Sequence, residues 1–88
     1  MLRRLLEILR DNYGEDGISP EKINNGFCAD FATRIWEQMP DVRVVSDEDM
    51  GAKYTHTFIE HDGLYYDSEC VEGVEDWTQL PTFHRTPT

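Results

Sequence analysis

Positive charge is scarce in this 88-residue sequence, and long apolar runs are absent. The 18 aspartates and glutamates outnumber the 8 lysines and arginines, which gives a formal net charge of −10 at pH 7. A surface this acidic repels phosphate backbones, so we expect no direct binding to nucleic acid. No stretch approaches the roughly 20 apolar residues that cross a bilayer, and the first residues lack the apolar core of a signal peptide. We therefore expect a cytoplasmic protein without membrane contact, folded as one small domain over residues 1–88.

Cysteine is also scarce, with only Cys28 and Cys70 present. Two cysteines in dissimilar settings do not define a disulfide framework, and we expect both to stay reduced in a cytosolic chain. The sequence has no CxxC or HxxxH spacing, which argues against a structural zinc site. We expect no metal and no cofactor.

Two long helices, with a short turn of helix between them, are predicted in the first half of the chain. Leucines recur at helical spacing over residues 2–13, which predicts an amphipathic N-terminal helix. Ser19-Pro20-Glu21 is typical of a helix start, with serine as N-cap and proline in the first turn. Asn24-Asn25-Gly26 then interrupts the pattern, so we expect a new helix over residues 27–39, opened by Cys28.

Residues 41–68 have the composition and turn signals of antiparallel strands. Asp62-Gly63 favours a two-residue hairpin turn between the last two strands. The polar residues 46–53 indicate an acidic loop, and residues 70–88 are expected to form a turn-rich tail that caps the sheet. The predicted strands cover residues 41–45, 55–60 and 64–68.

The order of three residues along the chain suits a site with a thiol nucleophile: Cys28, then His56, then Asp67. A helix N-terminus lowers the pKa of a thiol, an imidazole takes the thiol proton, and a carboxylate fixes the imidazole tautomer. A two-residue turn at Asp62-Gly63 pairs Phe58 with Asp67 and His56 with Glu69, so either carboxylate is a candidate for orienting His56. We expect the acidic loop to flank this site.

Three segments carry a resemblance to a known family: residues 25–32 (NGFCADFA), 56–59 (HTFI) and 63–69 (GLYYDSE). They resemble the core of compact papain-like cysteine peptidases and amidases, some of them phage-encoded, and similar phage proteins continue with a segment like residues 73–81. The resemblance implies an α+β fold, with N-terminal helices packed on a small antiparallel β-sheet. It also implies that Cys28 is the nucleophile, His56 the general base and acid, and Asp67 the orienting residue.

One part of the family pattern is missing. Papain-like enzymes commonly carry a glutamine shortly before the cysteine to help hold the oxyanion, and this sequence has Asn24 and Asn25 there instead. Either amide, together with the Cys28 backbone N–H, is a candidate for that role.

The leading hypothesis is a small cysteine hydrolase that cleaves an amide or isopeptide bond of a protein or peptide substrate through an acyl-thioester on Cys28. In a simpler interpretation Cys28 is a core residue of an inactive acidic protein. Such a protein is a candidate phage or mobile-element inhibitor, including anti-CRISPR factors, that binds a basic protein partner in place of nucleic acid. A third hypothesis is an accessory module, dimeric through its first helix; we expect a monomer or a weak dimer. The partner-binding candidates are Asp47, Glu48, Asp49, Glu72, Glu75 and Asp76.

Overall fold

The computed structural model describes residues 1–46 and 56–84. Within these residues, a 14-residue helix and a 19-residue helical stretch pack against a four-stranded antiparallel sheet. The α+β class predicted from the sequence is confirmed. In the described part of the chain, the helices are too short or too polar to cross a membrane.

The first helix, α1 (Leu2–Glu15), is two residues longer than predicted. Its end has the hydrogen bonds of a Schellman motif: the Ile18 N–H donates to the Tyr13 carbonyl and the Gly17 N–H to the Gly14 carbonyl, both at 3.0 Å. Gly17 adopts a φ of 79°, a left-handed conformation that glycine reaches without steric cost. The helix therefore ends at Glu15, and the chain leaves the helical path through Asp16 and Gly17.

The second helical stretch corrects the prediction of a break at Asn24-Asn25-Gly26. It begins with α2 (Pro20–Lys22), capped by Ser19 as predicted, continues through a π-helical turn (Ile23–Phe27) and ends with α3 (Cys28–Gln38). The two asparagines and the glycine are accommodated in the wider π-helical turn, a feature often found at functional sites. Cys28 therefore continues a helix that began eight residues earlier and does not open a new one.

The sheet is a simple meander with the strand order β1-β2-β3-β4. Asp62 and Gly63 connect the second and third strands with φ values of 51° and 81°, the positive angles of a type I′ turn. The Ile59–Tyr66 and His61–Leu64 pairs follow the register predicted from that turn. The first three strands are β1 (Arg43–Ser46), β2 (Thr57–His61) and β3 (Leu64–Asp67).

The prediction of a capping tail over residues 70–88 is wrong for its first part, because Cys70–Val74 forms a fourth strand, β4. This strand pairs with β3 through Asp67 and Cys70, so only two residues connect the strands. The strand was missed because Glu72 and Gly73 weaken its β-propensity. Two 3₁₀ turns follow, Trp77–Gln79 and Pro81–His84, and they form the cap.

Two hydrophobic clusters lie on the two faces of the sheet. One contains the buried residues of the helices together with Ile59 and Val71, and the other contains Phe58 and Cys70 together with side chains of the 3₁₀ turns. Neighbouring residues of a strand point to opposite faces, which explains why consecutive residues belong to different clusters. His56, whose ring stacks on Phe58, lies on the face covered by the 3₁₀ turns.

Candidate active site

His56 and Asp67 form a buried pair at the centre of the candidate site. The Nε2 atom of His56 lies 3.1 Å from Oδ2 of Asp67, and the two residues are only 3% and 2% exposed. The other carboxylate oxygen of Asp67, Oδ1, accepts a hydrogen bond of 2.9 Å from the Glu69 backbone N–H. Both oxygens of Asp67 are thus engaged, and the carboxylate holds the imidazole in one orientation.

Aromatic rings shield this pair from water. The imidazole of His56 stacks on Phe58 with ring centroids 5.7 Å apart, and the edge of Phe83 meets it at 5.5 Å. Phe83 belongs to the last 3₁₀ turn, so the C-terminal cap covers the histidine. Apolar surroundings of this kind strengthen the electrostatic interactions inside them.

Cys28 is half-buried, and its thiol lies near enough to the His56 imidazole for the two groups to shift each other's pKa. The interaction with the His56 side chain is the main reason why the pKa of the Cys28 thiol is lowered from its ordinary value; burial works in the opposite direction. The backbone N–H groups of Thr57 and Ala29 and the positive charge on His56 lower the pKa further. The thiolate is therefore stabilised from both the helix and the start of β2.

His56 is shifted in the complementary direction. Burial lowers the pKa of its imidazole, but hydrogen bonds and charge interactions with Asp67 and Cys28 raise it by more, to about 9. A lowered thiol pKa beside a raised imidazole pKa shifts the proton balance of the pair towards the thiolate–imidazolium form. Because Nε2 lies against Asp67, a proton exchange with the thiol would have to use Nδ1 of the ring.

The second carboxylate considered for orienting His56 has another contact. Glu69 accepts a hydrogen bond of 3.0 Å from the Asn24 amide through its Oε2 atom. Asn24 is buried and its oxygen accepts from the Ser68 hydroxyl, whereas Asn25 is exposed. The oxyanion role considered for the two asparagines stays a prediction. Ser68 was missed, because nothing in its local sequence distinguishes it from a turn serine.

The other cysteine has the opposite electrostatic environment. Burial raises the pKa of the Cys70 thiol to about 11, and the negative charges of Glu72 and Asp67 contribute. Both Cys28 and Cys70 are free thiols. Cys70 is therefore protonated at neutral pH and packs as an apolar residue, so the two thiols differ in reactivity.

The acidic partner-binding candidates lie only partly within the described residues. Glu72, Glu75 and Asp76 are exposed, and Asp76 caps the 3₁₀ turn Trp77–Gln79 through the Thr78 backbone N–H. Asp47, Glu48, Asp49 and the rest of the predicted acidic loop after Ser46 lie outside the described residues. Among residues 1–46 and 56–84, histidine, cysteine and carboxylate side chains form no group that could hold a metal ion.

Comparisons of the chain with protein-family models, with curated proteins and with solved structures find no match. The papain-like resemblance therefore stays a prediction. Function has to be argued from the chemistry of the site, since a fold class alone does not determine it.

Proposed function

We propose that this protein is a small cysteine hydrolase that cleaves an amide or isopeptide bond through a Cys28–His56–Asp67 site. The observation that carries the proposal is the buried His56–Asp67 pair, whose imidazole lies 3.1 Å from the carboxylate and interacts with the Cys28 thiol so as to lower the pKa of that thiol. A nucleophile, a base and a group that orients the base are the minimum set for this type of catalysis. The papain-like resemblance supports the same assignment.

In the proposed reaction, the Cys28 thiolate attacks the carbonyl carbon of the substrate and forms a C–S bond. Protonated His56 gives its proton to the leaving nitrogen as the C–N bond breaks, which leaves an acyl-thioester and a free amine. Neutral His56 then takes a proton from water while the hydroxyl oxygen bonds to the same carbon. The C–S bond breaks, a carboxylic acid leaves, and the thiolate–imidazolium pair is restored.

The Asp67 carboxylate stabilises the imidazolium of His56. The substrate class proposed is a protein or peptide. We also infer an intracellular location, because a thiol nucleophile has to remain reduced.

A second candidate function is favoured by the exposure of Glu72, Glu75 and Asp76 beside the many other carboxylates of this chain. In that case the protein is a catalytically inactive inhibitor that binds a basic protein partner, and Cys28 has a structural role. This candidate predicts an ordinary thiol at Cys28, so one experiment separates the two functions.

The test is the rate at which iodoacetamide alkylates Cys28, measured from about pH 4 to about pH 10 in a Cys70→Ala background. We expect fast alkylation that persists well below the ordinary thiol pKa, because His56 stabilises the thiolate. Adding His56→Gln should remove the low-pH reactivity. His61→Gln is the matched control, since His61 lies on the same sheet and pairs with the turn residue Asp62.

An activated thiol that depends on His56 and not on His61 justifies a screen of peptide and isopeptide substrates. Hydrolysis should then fall as the pH rises through about 9, because the leaving amine needs protonated His56. A thiol that titrates normally in the folded protein contradicts the hydrolase and favours the inhibitor.

A further inference from the structure

A buried polar cluster connects the helix that carries Cys28 to the strands that carry Asp67. The Ser68 hydroxyl lies 2.9 Å from the Pro20 carbonyl oxygen and 2.9 Å from Oδ1 of Asn24. The Asn24 amide donates to Oε2 of Glu69 at 3.0 Å. Ser68 is 0% exposed and Asn24 is 6% exposed, so solvent does not compete for these bonds.

The chemistry of the cluster defines one arrangement of its side chains. The ionised carboxylate of Glu69 accepts only, so the nitrogen of the Asn24 amide has to face it, and the amide oxygen then faces Ser68. Ser68 has a single hydroxyl proton for two acceptors, the Asn24 oxygen and the Pro20 carbonyl, and shares it between them. Each member therefore depends on the orientation of the next.

The position of the cluster in the chain is the reason to assign it a role in the site. Ser68 and Glu69 directly follow Asp67 and form the two-residue connection to β4. Asn24 lies in the π-helical turn that directly precedes Cys28. The cluster therefore joins the segment before the nucleophile to the segment after the carboxylate, across separations of 44 and 45 residues.

We propose that Asn24, Ser68 and Glu69 are positioning residues that hold the π-helical turn against the β3–β4 connection and thereby set the position of the Cys28 thiol relative to His56. This inference rests on the proposed hydrolase function. Loss of any member releases the π-helical turn and weakens the interaction between the thiol and the imidazole. The thiol pKa then rises towards its ordinary value even though Cys28, His56 and Asp67 are all present.

The experiment measures the pH profile of Cys28 alkylation in the Cys70→Ala protein and in three variants of it, Ser68→Ala, Glu69→Ala and Glu69→Gln. Ser68→Ala and Glu69→Ala should raise the thiol pKa towards its ordinary value, and each unit of that rise lowers the rate about tenfold at a pH below the pKa. Glu69→Gln keeps an oxygen that accepts from Asn24 and should restore most of the reactivity. Circular dichroism verifies that each variant is folded.

Thr78→Ala is the control, because it also removes a hydroxyl bonded to a side chain, but at the exposed 3₁₀ turn. If the effect were only a general loss of stability, the thiol pKa would not differ between Glu69→Ala and Glu69→Gln. Recovery of Cys28 reactivity in Glu69→Gln therefore indicates a positioning role. If Ser68→Ala does not fold, the two Glu69 variants decide the question, because Glu69 is only half-buried.

The thiol could be activated in the parent protein while the folded Ser68→Ala and Glu69→Ala variants show unchanged pH profiles of alkylation. That result overturns the positioning role and leaves the hydrolase proposal standing. An ordinary thiol in the parent protein overturns the hydrolase proposal and this inference with it.

Discussion

Asp67 is a carboxylate almost without solvent contact, and its burial is tolerated because both oxygens are bonded. Burial of a carboxylate destabilises the folded state by roughly several kcal/mol, unless nearby charges or hydrogen bonds compensate for the lost hydration. Here the compensation is His56 and one backbone N–H group. The same contact raises the pKa of His56. His56 therefore compensates for the burial of Asp67, and Asp67 in turn favours the protonated form of His56.

Replacing Asp67 with asparagine should therefore weaken the pKa shifts of both His56 and Cys28. The amide is close in size to the carboxylate but has no charge to stabilise the imidazolium, so the pKa of His56 falls and that of Cys28 rises. Alkylation of Cys28 at neutral pH should slow by about tenfold or more in the Cys70→Ala background. Asp62→Asn is the control, because Asp62 is an exposed residue in the turn at the far end of the same β2–β3 hairpin. Equal rates for Asp67→Asn and the parent protein contradict a role for this carboxylate.

At the scale of elements, the pairing of β3 and β4 includes a close contact between Gly73 and Tyr66 that leaves no room for a side chain at position 73. The ladder is irregular between Tyr65 and Asp67, and Gly73 in β4 has a φ of 82°. A Cβ atom at Gly73 would lie 2.7 Å from the ring of Tyr66. The tyrosine ring thus covers the glycine and fills the space that a side chain would take.

Gly73→Ala should destabilise the fold by about 1–3 kcal/mol, because the left-handed backbone and the Tyr66 ring both oppose a side chain. Gly14→Ala is the matched control: Gly14 lies in α1 with no atom within 4 Å of an added Cβ, and alanine should stabilise that helix by about 0.5–1 kcal/mol. Urea denaturation of both variants measures the two free energies of unfolding. Equal stabilities for the two variants refute the close contact at Gly73.

At the scale of the whole molecule, the net charge of −10 acts over a chain with a radius of gyration of 12.0 Å. Three of the arginines form ion pairs at the surface: Arg3–Glu7, Arg34–Asp30 and Arg43–Glu60. Such pairs contribute about 0–1 kcal/mol each, so they do not offset the repulsion among the remaining carboxylates. The folded state is therefore destabilised by its own charge at low ionic strength.

Raising the ionic strength from about 0.01 M to about 0.15 M should increase the thermal unfolding temperature, because the screening length falls from about 30 Å to about 8 Å. A variant with Glu37→Lys and Glu75→Lys, both at exposed positions, changes the formal net charge from −10 to −6. Its unfolding temperature should respond less to salt. Identical salt responses for the two proteins argue against charge repulsion as the cause.

Local patterns in the sequence were sufficient for several features of the fold and site. The leucine spacing predicts α1, and Ser19 caps the second helical stretch as its type indicates. The Asp62-Gly63 turn defines the β2–β3 register, and this register brings His56 close to Asp67. These features depend on neighbours in the chain or on one tight turn, so the residues involved determine them directly.

Tertiary packing decided the rest. The π-helical turn at Ile23–Phe27 and the strand β4 both go against local propensity and depend on contacts with distant segments. The predicted register left both Asp67 and Glu69 as candidates for orienting His56, and in the folded chain Asp67 contacts His56 whereas Glu69 accepts from Asn24. Hydrogen bonds between residues more than 40 positions apart leave no periodic trace in a sequence, because only the assembled core brings their atoms within reach of one another.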